Sequence, residues 1–356
     1  LPKADHHRPL PPSLKTIHAR MPDGYRLAIR RWHGATDPDV VALGLHGFND
    51  YSRAFAPLGE DLAAAGITTY AVDQRGFGDT RQPGRWHGSA RLQADLRTLI
   101  RLLRAHHPQA RLVVIGESMG AAVALAASAQ SPLDIDALVL IAPAVWSRAT
   151  MPWYQRLALD VTARTLPALK LTGSGIPITP SDNKSMLRTM SRDPLVIKAT
   201  RIDALWGITN LMDQAAAWPD IRHNPEQPPL LILYGERDSI IPPRAFCRFI
   251  ARVPLDGQTR LGLYADGWHM LPRDLQGAAV RQDILSWLQD PNAPLPSGEE
   301  IGPDRARLQR FCQAASPSLA VPRCPIEGEP DHVPDDIPAA SRPCSRVASR
   351  YDRWPG

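Results

Sequence analysis

Residues 116–120 read Gly-Glu-Ser-Met-Gly and constrain the fold more than any other stretch of the chain. They separate the apolar run 112–115 from the small-residue stretch 121–127, so the pattern predicts a strand, a sharp turn and a helix. Gly116 and Gly120 let strand and helix approach closely, and the strained turn presents Ser118 at the strand's carboxyl end. The start of the following helix favours negative charge developing beside that hydroxyl. A glycine-rich packing turn is the plainer reading, and the strand–turn–helix context argues against it.

The rest of the chain predicts a sheet on which such a turn can sit. Residues 14–21 and 25–32 read as antiparallel strands joined at Pro22-Asp23-Gly24, and 40–45, 67–72, 112–115, 137–141, 230–234 and 259–264 read as further strands. Residues 52–65, 90–106, 120–129, 245–253 and 277–288 carry helical patterns, clearest in the stripe Leu92, Leu96, Leu99, Ile100 and Leu103. This alternation predicts an α/β fold, a mostly parallel sheet with helices on both faces. It lapses over 147–220, where helical patterns and loops occur without a convincing strand, as in a helical cap inserted between sheet strands. The expected organisation is a loose arm over 1–11, a core over 12–146 and 221–290, the cap over 147–220, and a disordered tail over 291–356. The tail holds 12 of the 36 prolines and little apolar periodicity. A folded extension stapled by cysteines is its minority reading.

With 356 residues the chain can bury a large core, and 44% hydrophobic against 22% charged residues excludes a wholly disordered or fibrous protein. No apolar run approaches the ~20 residues of a bilayer-spanning helix. The net charge of +5 comes from dispersed arginines and forms no nucleic-acid stripe, though it is compatible with weak attraction to an anionic membrane. Of four cysteines, Cys247 falls in a helical pattern and is expected as a buried thiol. Cys312, Cys324 and Cys344 lie in the tail, where one disulfide would leave an odd thiol. None belongs to a Cys-x-x-Cys pair, so no metal site is expected. The chain opens at Leu1 without a basic or apolar leader, and processing, an unusual start and a fragment are all compatible with that. Location is left between the cytoplasm and a membrane periphery, with processed export open.

A serine hydroxyl needs a base to act as a nucleophile. His269 follows the strand 259–264 by a short loop and so reaches the same end of the sheet; His106 and His107 end a helix, and His6, His7 and His332 lie in the arm and tail. The base needs an orienting carboxylate, and Asp238 follows the strand 230–234 by a short loop, giving the order Ser…Asp…His. Glu236 and Asp266 compete for that role. Two backbone amides should hold an oxyanion: Met119, next to the serine, and Phe48, in the loop His46-Gly47-Phe48-Asn49-Asp50 after the strand 40–45. His46 is expected to bond loop backbone. The turn Asp73–Asp79 lacks a phosphate-loop pattern and is expected to be held by Asp73 and Arg75.

These motifs resemble the α/β-hydrolases of the monoacylglycerol lipase, lysophospholipase and serine aminopeptidase-like group. The resemblance spans about residues 12–290 and rests on His46-Gly47-Phe48, Asp73-Gln74-Arg75-Gly76-Phe77-Gly78, Gly116–Gly120, Gly235–Pro242 and His269, in family order. It implies the α/β-hydrolase fold with a helical cap, Ser118 as nucleophile, Asp238 as acid, His269 as base, and Phe48 and Met119 at the oxyanion. Arg192-Asp193-Pro194-Leu195 resembles a recurrent cap segment. Where lipase-like members usually continue the first loop with Glu-His, this chain has Asp50-Tyr51.

The cap should select the substrate. In and beside it lie Trp146, Trp153, Trp206 and Trp218, with Leu211, Met212 and other apolar residues, and its nine basic residues exceed its six acidic ones. Such a surface suits an acyl chain drawn from a membrane or micelle. Trp153, Trp206, Leu211 and Met212 are the expected pocket residues, although packing of the cap onto the core would also account for them. The expected activity is hydrolysis of monoacylglycerol-like or lysophospholipid-like esters through an acyl-enzyme. No cofactor or metal is required, no nucleic-acid partner is expected, and membrane contact would be transient and made through the cap. Oligomeric state is not legible. An aminopeptidase of the proline iminopeptidase kind needs something to hold a substrate ammonium; related iminopeptidases place glutamates in the cap, and 147–220 has none, though Asp160, Asp182, Asp193, Asp203, Asp213 and Asp220 remain. A thioesterase or haloperoxidase would share the triad, and a non-catalytic binding protein would be expected to have lost it.

Overall fold

The computed structural model describes residues 13–14, 18–173, 177–221 and 227–316. The expected arm over 1–11 lies outside them, as do Cys324 and Cys344. In chain order, strands β1 (Ser13–Leu14), β2 (His18–Arg20), β3 (Arg26–Trp32) and β4 (Val40–Leu45) lead to helix α1 (Ala56–Ala64), β5 (Thr68–Val72) and α2 (Ser89–His106). Then come β6 (Arg111–Glu117), α3 (Met119–Gln130) and β7 (Ala137–Ile141). The cap follows with α4 (Trp153–Thr165), β8 (Lys170–Thr172), α5 (Lys184–Arg192), β9 (Ala199–Arg201), α6 (Ile202–Ala216) and α7 (Trp218–Ile221). The core resumes with β10 (Leu230–Gly235), α8 (Pro243–Ile250), β11 (Thr259–Tyr264) and α9 (Gly277–Gln289), and α10 (Ala306–Ala315) closes the described chain.

The main sheet runs β1-β2-β3-β5-β4-β6-β7-β10-β11, antiparallel as far as the β3–β5 pair and parallel from β5 to β11. Side chains alternate across a strand, and both faces are covered, so each parallel strand feeds two cores. Val41, Leu43 and Leu45 of β4 with Leu112 and Val114 of β6 enter one; Val40, Ala42, Val113 and Ile115 enter the other. Helix α2 adds its leucine stripe to the first, and α3, almost entirely small and apolar, is buried along Met119–Ala127. After β4 the chain moves to β5 on one side, and later to β6 on the other. The crevice at the carboxyl ends of β4 and β6 is therefore a topological switch point, where open α/β sheets bind ligands.

Three expectations differ from what is seen. The cap contains a small antiparallel sheet, β8 with β9. Its strands have three residues each and no buried position, so no apolar run announced them. The expected disordered tail is packed at its start: Glu300 bridges Gly262 on β11, Leu263 N–H donates to the Glu299 carbonyl, and Ile301 N–H donates to that of Leu261. This covers the sheet edge. Helix α10 then lays Leu308 into the core and Phe311 against the Tyr234 ring. Residues 317–356 lie outside the described residues. Finally, Cys247 is not a thiol. Helix α10 packs on α8 and brings Cys312 to a Cα separation of 5.6 Å, and the two form a disulfide.

Candidate active site

Ser118 joins β6 to α3 with φ of 53° and ψ of −109°, a backbone that an L-residue adopts only under constraint. The constraint is close packing. A Cβ on Gly120 would lie 2.1 Å from the Leu45 carbonyl oxygen, and one on Gly116 would lie 2.6 Å from the Ala121 nitrogen. Both positions therefore require glycine.

His269, in the loop after β11, has Nε2 3.0 Å from Ser118 Oγ and Nδ1 2.7 Å from Asp238 Oδ2. A carboxylate only accepts, so Nδ1 carries the ring proton and Nε2 accepts from the serine hydroxyl. Asp238 is fixed in turn, because its Oδ1 accepts from the amides of Ile240 at 2.8 Å and Ile241 at 2.9 Å. Burial acts to lower the His269 pKa. The charge and hydrogen bond of Asp238, helped by the charge of Glu117, outweigh it and hold the imidazole above its ordinary value. The competing carboxylates are engaged elsewhere, Glu236 with Arg307 at 3.1 Å and Asp266 with Arg237 at 2.5 Å.

Gly47 passes close to the serine, and a Cβ there would lie 3.4 Å from Ser118 Cβ. Phe48 lines the cavity in front of Ser118, and Met119 is the first residue of α3, where amides lack partners within the helix. His46 accepts from the Gln74 amide at Nε2 (2.9 Å), so its Nδ1 donates to the Gly47 carbonyl at 2.7 Å. Burial pushes its pKa down, which keeps it neutral in this role. Asp73 ties the next turn by accepting from the amides of Ser52 and Asp79, while Arg75 pairs with Asp23 and Asp95.

A charged cluster not foreseen from the sequence lies beside the serine. Arg273 is buried, with Nη1 2.9 Å from Asp50 Oδ2 and Nη2 3.0 Å from Glu117 Oε1. Burial opposes its charge, but the two carboxylates outweigh that and push its pKa up. Asp50 thus has a partner inside the protein. Its neighbour Tyr51 donates to Asp193 of the cap at 2.6 Å, which joins the loop after β4 to the Arg192–Leu195 segment. Next to Arg273, Asp274 accepts from Ser181 Oγ at 2.6 Å and from the Trp268 amide at 2.8 Å, and burial pushes its carboxyl up to about 6.

Ser118 and His269 open into a cavity of about 280 Å³ lined by Phe48, Val196, Met190, Ile240 and Met270, among others. A second cavity, of about 470 Å³, adjoins it through Asp50, Met190, Val196 and Arg273. None of the four expected pocket residues lines either. Trp153 is 68% exposed on α4, and Trp206 lies under the Arg148 guanidinium, 4.7 Å from ring centre to Cζ. Leu211 and Met212 belong to the core, because that face of α6 packs on α3. The cap residues that do line the Ser118 cavity, Pro180, Met190 and Val196, come from α5 and its flanks, which carry no tryptophan. Among the described residues no cluster of histidine, cysteine, aspartate or glutamate is placed to hold a metal ion.

A parallel sheet with a switch-point crevice and a serine–histidine–aspartate chain on strand-end loops defines an α/β-hydrolase. More narrowly, the chain belongs to the serine aminopeptidase S33 family, whose model matches residues 36–276. Among its relatives is a monoacylglycerol lipase of Mycolicibacterium smegmatis, 28% identical over 74% of this chain and 93% of that one. A soluble variant of the Saccharomyces cerevisiae monoglyceride lipase, solved with a substrate analogue, superposes with a TM-score of 0.65 at 20% identity, covering 82% of this chain and 98% of that one. The Paleococcus ferrophilus monoacylglycerol lipase superposes with a TM-score of 0.63 at 21% identity, covering 74% and 99%.

Proposed function

We propose that the protein is a serine carboxylic-ester hydrolase acting through an acyl-enzyme on monoacylglycerol-like or lysophospholipid-like esters. The observation that carries this reading is the hydrogen-bond chain from Asp238 through His269 to Ser118, 2.7 and 3.0 Å long, opening into a largely apolar cavity under the cap. Ser118 Oγ attacks the acyl carbonyl carbon while His269 Nε2 takes the hydroxyl proton. Asp238 holds the tautomer and stabilises the imidazolium. The oxyanion is received by the Phe48 and Met119 amides. The bond to the alcohol breaks, and the alcohol leaves with the proton from His269. Water then gives a proton to the same nitrogen and attacks the acyl carbon; the bond to Ser118 Oγ breaks, Oγ takes the proton back from His269, and the acid is freed. These steps use no cofactor.

The relatives' activity as monoacylglycerol lipases supports the substrate class. So does the outer face of the cap, where Trp153, Tyr154, Leu157 and Val161 on α4 are exposed, with Leu166, Leu169 and Leu171 beyond them. Exposed Arg156, Arg164 and Lys170 sit among them, a composition suited to the headgroup boundary of an anionic lipid surface. Among the described residues no helix is long and apolar enough to cross a membrane, so contact would be peripheral. An aminopeptidase reading would need an unpaired carboxylate near the serine. The two carboxylates lining the cavity, Asp50 and Glu117, are both held by Arg273.

The test is hydrolysis of p-nitrophenyl esters from two to sixteen carbons beside an amino-acid anilide, with Ser118→Ala as control. A rate maximum at medium or long acyl chains, abolished in the variant, is expected. Cleavage of the anilide alone would overturn the ester reading.

A further inference from the structure

The cap segment 179–183 touches both loops that carry the histidine and the aspartate. Ser239, next to Asp238, accepts from the Thr179 amide at 3.2 Å and donates to its carbonyl at 2.8 Å. The Met270 amide donates to the Pro180 carbonyl at 3.2 Å. Ser181 Oγ donates to Asp274 Oδ1 at 2.6 Å and accepts from the Asn183 amide at 3.1 Å. Asp182 accepts from the Leu275 amide at 2.9 Å, and the Asn183 side chain donates to the Arg273 carbonyl at 2.8 Å. Five consecutive cap residues thus lace the loop after β10 to the loop after β11.

His269 is at the centre of this lacing. The amide before it, Trp268 N–H, donates to Asp274 Oδ2 at 2.8 Å, and the amide after it, Met270 N–H, donates to the cap. Asp274 therefore bridges the histidine loop to Ser181 through its two oxygens. Both members of the pair are buried, Ser181 at 1% exposure and Asp274 at 5%, where each lost partner leaves an unpaired polar group. A loop peptide pinned on both sides of a residue holds that residue's side chain far more narrowly than one free to rock.

We infer that residues 179–183 form a strap that sets the position of His269, with Ser181 and Asp274 as its positioning residues, so that seating the cap and aligning the base are one event. The inference rests on the reading of His269 as the general base. It gives the cap a role besides substrate selection: a cap lifted at the strap leaves the serine with a misaligned base.

The experiment compares wild type, Ser118→Ala, Ser181→Ala, Asp274→Ala and Asp274→Asn on p-nitrophenyl butyrate, a soluble ester too short to need the cap's apolar surface. Displacing a catalytic group by about 1 Å can cost on the order of a hundredfold in rate. Ser181→Ala and Asp274→Ala should lower kcat roughly ten- to hundredfold with little change in KM. Asp274→Asn, whose amide oxygen can still accept from Trp268 and whose NH2 can donate to Ser181, should recover most of the loss. The acid limb of the kcat/KM profile adds a readout that mere destabilisation would not move. Asp238 and Glu117 raise the His269 pKa while Arg273 and burial lower it. A loosened contact with Asp238 should therefore shift the limb to lower pH in Ser181→Ala. Amide exchange over residues 266–272, followed in the same variants and in Ser239→Ala, keeps the idea testable if an alanine variant folds poorly: faster exchange there, with the β6 region still protected, is expected. Wild-type kcat and an unmoved limb in folded Ser181→Ala, beside an inactive Ser118→Ala, would overturn the strap alone. Full activity in Ser118→Ala, or none in wild type, would overturn the ester-hydrolase reading and the strap with it.

Discussion

The carboxyl end of the sheet and the cap above it are built on opposite principles. At the sheet end, backbone pins Ser118, Asp238 and His46. Ser118 sits in a turn that admits only glycine at two of its neighbours, Asp238 accepts two amides, and His46 is locked between Gln74 and Gly47. The parallel strands that carry these loops are buried along their length, save Arg111 at the start of β6. The outer part of the cap is built differently: α4 has no buried residue, β8 and β9 have no buried position, and much of the apolar surface there faces outward. The groups of the candidate site thus lie on the part held by backbone, and the exposed apolar surface on which the proposed lipid contact rests lies on the other.

The largest effect should come from the rigid side. Ser118→Ala is expected to lower kcat by several powers of ten, read on any soluble ester, because serine and histidine act as a unit. Asp238→Asn should follow at roughly 10⁴-fold, by presenting the wrong tautomer to His269. In the wild type His269 must be neutral to accept the serine proton, and its pKa is held above the ordinary histidine value. The acid limb of kcat/KM should therefore have its midpoint above about 6.5. The sign for stability is opposite: a histidine pKa raised on folding stabilises the fold below the unfolded value, and that contribution is lost as pH rises through the folded one. The catalytically competent neutral form is thus the less stabilised one.

Stability effects come next. Arg273→Met would strand Asp50 and Glu117 as unpaired buried carboxylates, and a loss of roughly 3–5 kcal/mol is expected in denaturant unfolding. Removing the Cys247–Cys312 bridge, which spans 65 residues of chain, should cost roughly 2–4 kcal/mol by the same assay, the loss coming mainly through the unfolded chain. The smallest effect belongs to the outer face of the cap. Leu157→Ser with Val161→Ser should lower partitioning onto anionic vesicles severalfold in a sedimentation assay, and should lower hydrolysis of vesicle-borne ester more than hydrolysis of p-nitrophenyl butyrate. Equal losses on both substrates would erase the distinction between the two regions.

The same contrast governs what could be read from the amino-acid order. The sheet was legible because its strands are short apolar runs bounded by turns, and β7 and β11 fall on the expected residues. The convergence of Ser118, Asp238 and His269 was legible because each follows such a run, and strand ends meet in a parallel sheet whatever the loops do; the structure brings the three side chains within hydrogen-bonding distance. The pocket was not. Tryptophans mark apolar surface, but whether a helix turns that surface inward depends on what it packs against. Leu211 and Met212 went to α3 and Trp153 went to solvent. Ser181, Arg273 and Asp274 come from two segments far apart in sequence and share no periodicity, so nothing short of tertiary contact joins them to Glu117 and Trp268. Helix α10 did carry a signal, Leu308 with Phe311 and Cys312 at helical spacing, which the surrounding prolines obscured.

The most direct test of the central claim is to catch the acyl-enzyme. Wild-type protein mixed with excess p-nitrophenyl ester, quenched in acid within milliseconds and digested, should show one acyl group's mass added to the peptide that contains Ser118, with a matching burst of nitrophenol. Turnover of the ester with no adduct on that peptide, or with the adduct on another residue, would contradict the account.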